Sequence, residues 1–155
     1  MDDRDEGAAD DFAGPDFTGA DVTAFVEADP ETVYEAFTSA EELERWWWPM
    51  FDDTCYEVDA QEGGWYRIRT ATGGFGVQGR YLELVPGRRI VQTWDWLGGY
   101  EDGARQEQIV TISLQEAEGG TRIRVLQTTP ADEADAIREG WEDCLVRLEE
   151  LHADD

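Results

Sequence analysis

The chain has 155 residues and a formal net charge of -25, and its length suits one domain with a core of its own. All 12 basic residues are arginines, and the carboxylates are spread along the whole chain. This composition is typical of cytoplasmic proteins from salt-loving microbes, with an acidic surface for a basic partner as the alternative. Nucleic acid binding is disfavoured because phosphate contacts need clustered Lys or Arg. No apolar run is long enough to span a membrane, so we expect a soluble, cytoplasmic protein.

Thiol and imidazole groups are scarce. Cys55 and Cys144 lack the CxxC spacing of metal or redox sites, and we expect both to be small buried residues without a disulfide between them. The single histidine, His152, lies in the C-terminal tail. We therefore predict no metal site, no cofactor and no Ser-His-Asp or Cys-His catalytic arrangement.

The first 20 residues are acidic and rich in Gly and Ala, which predicts a mobile tail before a domain at residues 21–152. Apolar and polar residues alternate over residues 21–28, as in a first strand. Asp29 can cap a short helix that begins at Pro30. Ser39 can cap a second one, with Glu42 as its capping-box partner.

The second helix runs into three consecutive tryptophans, Trp46, Trp47 and Trp48, followed by Pro49. Neighbouring side chains on a helix point about 100° apart, so three in a row cannot all face one core. At least one of them should line a cavity mouth or an exposed patch.

From Thr54 onward, short alternating segments separated by Gly and Pro turns predict six strands. Such short turns predict an antiparallel sheet with consecutive strands as neighbours. Alternation places Tyr66 and Ile68 on one face of their strand, and Trp94 and Trp96 on one face of theirs. The predicted strands cover residues 55–60, 65–70, 75–85, 88–97, 106–115 and 121–129.

The last element, residues 130–151, has apolar residues at helical spacing, including Trp141 and Leu145. Thr129 is the predicted cap and Pro130 the first helical residue. No other element is long enough to cover the sheet, which predicts an α+β helix-grip. In this fold a curved antiparallel sheet of about seven strands surrounds the long C-terminal helix, and two short helices follow the first strand. A ligand pocket is expected where the sheet stands off the helix.

Aromatic and apolar side chains on these elements are the candidate ligand-binding residues, with plain core packing as the alternative for each. Gly140 costs about 1 kcal/mol relative to Ala inside a helix, so close approach of a strand or a ligand should require it. Arginines on alternating strand positions, such as Arg67 and Arg124, are expected to pair with carboxylates across strands, with an anion site as the alternative. The candidate ligand-binding residues are Trp46, Trp47, Tyr66, Ile68, Trp94, Trp96, Trp141 and Leu145.

Five segments follow one another in a familiar order: AEELERWWWP, DAQEGGWYRIRT, GRYLELVPGRRIVQTWDW, GGTRIRVLQT and EGWEDCLVRLEEL. From about residue 21 to residue 151 the chain resembles the AHSA1-like branch (activator of Hsp90 ATPase homologue 1-like) of the START/Bet v1-like superfamily, also called SRPBCC. The resemblance implies the helix-grip fold. It does not choose a function, because this fold hosts many.

Three functions stay open. Binding of an apolar or aromatic small molecule is favoured, because the predicted cavity has many aromatic and few titratable residues. The resemblance implies a chaperone partner, an Hsp90-type ATPase, although the additional N-terminal domain of the eukaryotic activators is absent from this sequence. A cyclase or hydrolase would use the same cavity through carboxylates, Tyr66 or Tyr100, but no catalytic residue is assigned. A homodimer formed through an exposed tryptophan edge also stays open.

Overall fold

The computed structural model describes residues 18–72, 74–97 and 108–153. Most of the predicted tail and the segment that holds Tyr100 lie outside these ranges. The elements are β1 (Gly19–Val26), α1 (Pro30–Thr38), α2 (Ala40–Trp46), β2 (Thr54–Val58), β3 (Trp65–Thr70), β4 (Phe75–Val85), β5 (Arg89–Leu97), β6 (Gln108–Ala117), β7 (Gly120–Thr128), a 3-10 turn (Ala131–Glu133) and α3 (Ala134–Leu151).

The seven strands form one antiparallel sheet in the order β1-β7-β6-β5-β4-β3-β2. The consecutive pairing predicted for β2 to β7 is confirmed. β1 lies at the opposite edge from β2 and pairs with β7, so that Gly19 is opposite Thr128 and Val26 is opposite Thr121. The two short helices therefore carry the chain from one edge of the sheet to the other.

Both short helices begin as predicted. The Asp29 carboxylate accepts a hydrogen bond from the Thr32 amide at 2.8 Å, and Ser39 Oγ accepts one from the Glu42 amide at 3.3 Å. The reciprocal half of the predicted capping box is absent. The Ser39 amide donates to the Glu35 carbonyl, and the Glu42 carboxylate accepts from Arg45 instead.

The three tryptophans do not share a helix, because α2 ends at Trp46. Trp47 has extended backbone, and Trp48 adopts a left-handed φ of 55°. These changes of direction bring all three indoles inward: Trp46 and Trp47 are buried, and Trp48 packs against the core. The exposed-patch alternative is therefore wrong for this segment.

The C-terminal helix begins four residues later than predicted. Residues 131–133 form a 3-10 turn, and Thr129 donates its hydroxyl to the Pro130 carbonyl rather than capping the helix. The predicted apolar stripe is confirmed, and α3 packs against β1 and α2. Four of its side chains are buried: Trp141, Cys144, Leu145 and Leu148.

Two predictions about single residues are wrong. Cys55 is exposed, because it alternates to the outer face of the edge strand β2, whereas Cys144 is buried on α3 as expected. His152 is buried at the C-cap of α3 rather than placed in a tail, because the residue that directly follows the helix is still packed against the domain. Both cysteines are free thiols.

The predicted pairing of strand arginines with carboxylates is confirmed for Arg124. It makes a two-pronged contact with Asp21 of the neighbouring strand, at 3.0 and 2.9 Å. Arg67 instead donates to the side-chain oxygen of Gln78 at 3.1 Å. None of the described helices is both long enough and apolar enough to cross a bilayer.

Candidate functional site

A partly open cavity of about 230 Å³ lies between β5 and the first half of α3. Most of its wall is aromatic. We call it the tryptophan pocket, after Trp47, Trp48, Trp94, Trp96 and Trp141. The other lining residues are Asp95, Gln108, Glu133, Ala136, Ile137, Gly140 and Cys144.

Strand β5 supplies the floor. Trp94 and Trp96 lie on its inner face with ring centroids 6.5 Å apart and ring planes 20° apart, and Phe75 stacks on Trp96 at 5.4 Å. Asp95 lies between them in sequence, and its carboxylate accepts a bond from Gln78 at 3.4 Å. The alternation predicted for β5 is thus confirmed, because the tryptophans and Asp95 take opposite faces.

The segment after α2 and the stripe of α3 supply the walls. The Trp47 ring lies 5.2 Å from Trp141 at an interplanar angle of 84°, and Trp48 lies 5.9 Å from Trp96 at 88°. Edge-to-face pairs of this kind are favoured by the ring quadrupoles. Tyr56 donates its hydroxyl to the Trp47 carbonyl at 2.5 Å and so holds that backbone, and burial raises the pKa of this phenol. The walls are therefore held in place without a ligand.

A chain of side-chain hydrogen bonds runs from the core to the pocket edge. The Trp141 indole N–H donates to Gln127 Oε1 at 2.8 Å, and Gln127 Nε2 donates to Gln108 Oε1 at 2.6 Å. Gln108 Nε2 then donates to Glu133 Oε1 at 3.2 Å. Since Gln127 is fully buried, these bonds satisfy groups that would otherwise be costly to desolvate. They also fix the Glu133 carboxylate beside the pocket.

The buried Trp47 indole N–H has no acceptor among the residues that the structure describes. The Cys144 thiol lies on the α3 wall, and burial raises its pKa to about 12 although Arg147 Nη2 lies 3.6 Å from the sulfur. A protonated thiol is a poor nucleophile.

Within the described ranges no group of three or more His, Cys, Asp or Glu side chains is arranged to hold a metal ion.

The two cysteines should differ sharply in reactivity. We expect iodoacetamide at about pH 8 to modify only Cys55 in the native protein and both thiols in denaturant, because the thiolate is the reacting form. Mass spectrometry of the alkylated protein measures this. Native Cys55→Ser should remain unmodified, and rapid modification of that variant would contradict the expectation.

The buried thiol of Cys144 makes the free energy of unfolding depend on pH. Its pKa is raised from an ordinary value of 9.0 to about 12, so both states hold the proton below pH 9. Above pH 9 the unfolded state loses the proton first, and the free energy of unfolding falls until about pH 12.

Gly140 lies on the exposed rim of the pocket. A Cβ at this position would meet nothing within 4 Å, so the predicted close approach of a strand is wrong. The ligand alternative stays open, because Gly140 is one of the residues that line the pocket.

Four of the eight candidate residues line the pocket: Trp47, Trp94, Trp96 and Trp141. The other four pack elsewhere in the core, where Trp46 donates its indole N–H to the Ala36 carbonyl and Tyr66 its hydroxyl to the Thr93 carbonyl. Ile68 shares the Tyr66 face of β3, two strands from β5, and Leu145 lies past Cys144, the last α3 residue that lines the pocket.

Several lining residues were not among the candidates. Helical spacing around Trp141 would have found those on α3, because Ala136, Ile137, Gly140 and Cys144 recur with it at intervals of one or three residues. Glu133 lies three residues before Ala136, in the 3-10 turn. Gln108 has no comparable signal, since it lies at the very start of β6.

A curated relative carries a related sequence. The "Activator of 90 kDa heat shock protein ATPase homolog" of Dictyostelium discoideum is 28% identical over 116 residues, which is 74% of this chain and 27% of that protein. The chain thus spans about a quarter of the length of this relative.

Solved structures share the fold. Protein CV1439 from Chromobacterium violaceum matches with a TM-score of 0.66 and 28% identity, over 87% of this chain and 96% of that one. PFC0360w, an HSP90 activator from Plasmodium falciparum, matches with a TM-score of 0.64 and 22% identity, over 84% and 93%. The family model "Activator of Hsp90 ATPase homolog 1-like protein" matches residues 27–153, so the chain belongs to the AHSA1 family, as its motifs predicted.

Proposed function

We propose that this protein binds a small apolar or aromatic molecule in the tryptophan pocket, in the cytoplasm of a cell with high internal salt. One observation carries the proposal: five indoles converge on a cavity that Gly140 leaves open at its rim. Such preformed, mostly apolar cavities with a few polar groups are typical of small-molecule sites.

The physical basis is burial of apolar surface against walls that are already ordered. Removing apolar surface from water contributes about 25 cal/mol per Å². The tryptophan rings already pack against one another, so a ligand loses little of that gain to the ordering of side chains. A cavity of about 230 Å³ favours a compact ligand, since the pockets that hold drug-sized ligands measure about 300 Å³ or more.

Two substitutions at Gly140 test the proposal with a neutral fluorescent probe, N-phenyl-1-naphthylamine. We expect the probe to bind the native protein and Gly140→Ala alike, because a methyl group meets nothing there. Gly140→Leu should bind about tenfold more weakly, because its longer side chain extends into the pocket. Probe fluorescence titrations measure all three affinities.

Gly140→Ala also serves as the folding control, since it should stabilise α3 by up to about 1 kcal/mol. The proposal is lost if the native protein does not bind the probe. It is also lost if Gly140→Leu binds as well as Gly140→Ala, because the probe then sits elsewhere.

A second candidate is action on an Hsp90-type ATPase. Its support is the family itself, together with the names of the relatives from Dictyostelium and Plasmodium. Because the chain spans only 27% of the Dictyostelium protein, the activity of that whole protein is not carried over. The test is to measure the ATPase rate of such a chaperone with and without this chain. A higher rate in its presence supports this second function, and an unchanged rate excludes it.

The third alternative, a cyclase or hydrolase, has less support. The titratable side chains among the described lining residues are Asp95, Glu133 and Cys144. The Asp95 carboxylate meets Gln78 on the other face of β5, and the Cys144 thiol is held protonated. Only Glu133 is then placed for acid-base chemistry, so we do not propose a catalytic residue.

A further inference from the structure

We propose that the ligand of the tryptophan pocket is a small organic cation, such as a molecule with a quaternary ammonium group. The inference rests on the proposed binding function and adds the charge of the ligand. Three observations on the described residues carry it: the orientation of the rings, the charges of the pocket lining and the charge of the whole chain.

The indole rings that line the pocket differ in orientation. Trp94 and Trp96 lie nearly parallel along the floor, whereas Trp48 stands at 88° to Trp96 and Trp47 at 56° to Trp94. A cation gains attraction from each indole face within about 6 Å of its centre, and tryptophan is the strongest of the aromatic partners. A neutral apolar ligand needs no such arrangement, since aliphatic walls would bury it equally well. Here the aliphatic part of the lining is only Ala136 and Ile137.

The polar lining favours a positive ligand. None of the described residues that line the pocket is basic, and Glu133 contributes a carboxylate at its edge. Gln108 donates to Glu133 Oε1, and Gln108 is itself held by the bond from Gln127. This carboxylate is therefore fixed in place beside the rings. An anion would meet the Glu133 charge at the same position.

The charge of the whole chain acts in the same direction. A net charge of -25 raises the local concentration of cations and repels anions around the protein. That long-range attraction is not selective for the pocket. The experiment therefore has to separate the pocket from the surface.

A pair of ligands with the same shape isolates the charge: 3-hydroxyphenyltrimethylammonium and 3-tert-butylphenol differ only by a nitrogen cation in place of a carbon. Each compound is titrated as a competitor of N-phenyl-1-naphthylamine in about 1 M KCl. The Debye length there is about 3 Å, so interactions with the surface charges are screened. We expect the cation to bind about tenfold more tightly than the neutral molecule.

Two charge-removing variants locate the effect. Glu133→Gln keeps an acceptor for Gln108 and should weaken cation binding about threefold to tenfold while leaving 3-tert-butylphenol unchanged. Glu139→Gln removes the same charge from the exposed face of α3, outside the pocket lining, and should change neither affinity.

The outcomes separate the two proposals. Equal or tighter binding of 3-tert-butylphenol overturns the cation inference and leaves the binding function standing. Equal effects of Glu139→Gln and Glu133→Gln also overturn it, because the cation then responds only to overall charge. Binding to phosphatidylcholine vesicles without affinity for the free cation overturns it as well. If neither compound binds and the probe does not bind either, the proposed function fails with it.

Discussion

The thermal midpoint of unfolding is expected to rise by on the order of 10 °C when KCl is raised from about 0.1 M to about 1 M, because the Debye length falls from about 10 Å to about 3 Å. With 37 acidic and 12 basic residues, carboxylates across the surface repel one another most when the chain is compact. Salt removes that repulsion from the folded state more than from the expanded unfolded state. A circular dichroism melt at each salt concentration measures the shift.

The structure shows why local pairing does not cancel this repulsion. The ion pairs of the described residues use arginines, as in Arg124 with Asp21 or Arg147 with Asp143, and the carboxylates of the sequence outnumber its arginines about threefold. An unchanged midpoint between the two salt concentrations would contradict the expectation. Sucrose added at low salt is the control, since it stabilises proteins without screening charge.

Trp141→Ala is expected to lower the free energy of unfolding by about 3–5 kcal/mol. The indole is 3% exposed and packs against Trp47 and Trp94, so truncation leaves a cavity in the wall of the pocket. It also removes the donor that bonds Gln127 Oε1 at 2.8 Å, and a buried acceptor without a partner adds to the loss. Urea denaturation in high salt measures the change.

Trp65→Ala is the matched control for that loss. Trp65 is 45% exposed at the start of β3 and contributes nothing to the pocket, so the same truncation should cost under about 1 kcal/mol. If the two variants lose the same free energy of unfolding, the loss in Trp141→Ala does not come from the burial of its indole. Native-like stability of Trp141→Ala would contradict the expectation directly.

The sequence predicted the elements whose signals are local. β3 and β4 have the predicted bounds, because alternation and glycine turns mark both ends. The start of α3 was misplaced by four residues, since proline is as acceptable at the start of a helix as before a 3-10 turn. The pairing of β1 with β7 has no local signal, because residues about a hundred positions apart are involved.

The sequence predicts how candidate side chains are arranged where one element decides it. Alternation along β5 is enough to predict that Trp94 and Trp96 share one face, and the structure shows that this is the inner face. Alternation also predicts that Tyr66 and Ile68 share one face of β3, but the distance of Tyr66 from the pocket depends on how the neighbouring strands pack. The bonds that connect Trp141, Gln127, Gln108 and Glu133 join three elements and the turn before α3, and glutamine carries no periodic signal. Only the tertiary fold brings those side chains together.

The edge position of β1 bears on the order in which the molecule can assemble. β1 is the first of the described strands, yet among these strands it pairs only with β7, which ends at Thr128. At about 5–20 residues per second, a ribosome needs roughly 5–20 s to make the hundred residues between them. Strands β2 to β7 can pair in turn as they emerge, whereas β1 must wait. Its unpaired backbone is then exposed to other chains, and a chaperone that binds nascent chains would have those seconds in which to protect it.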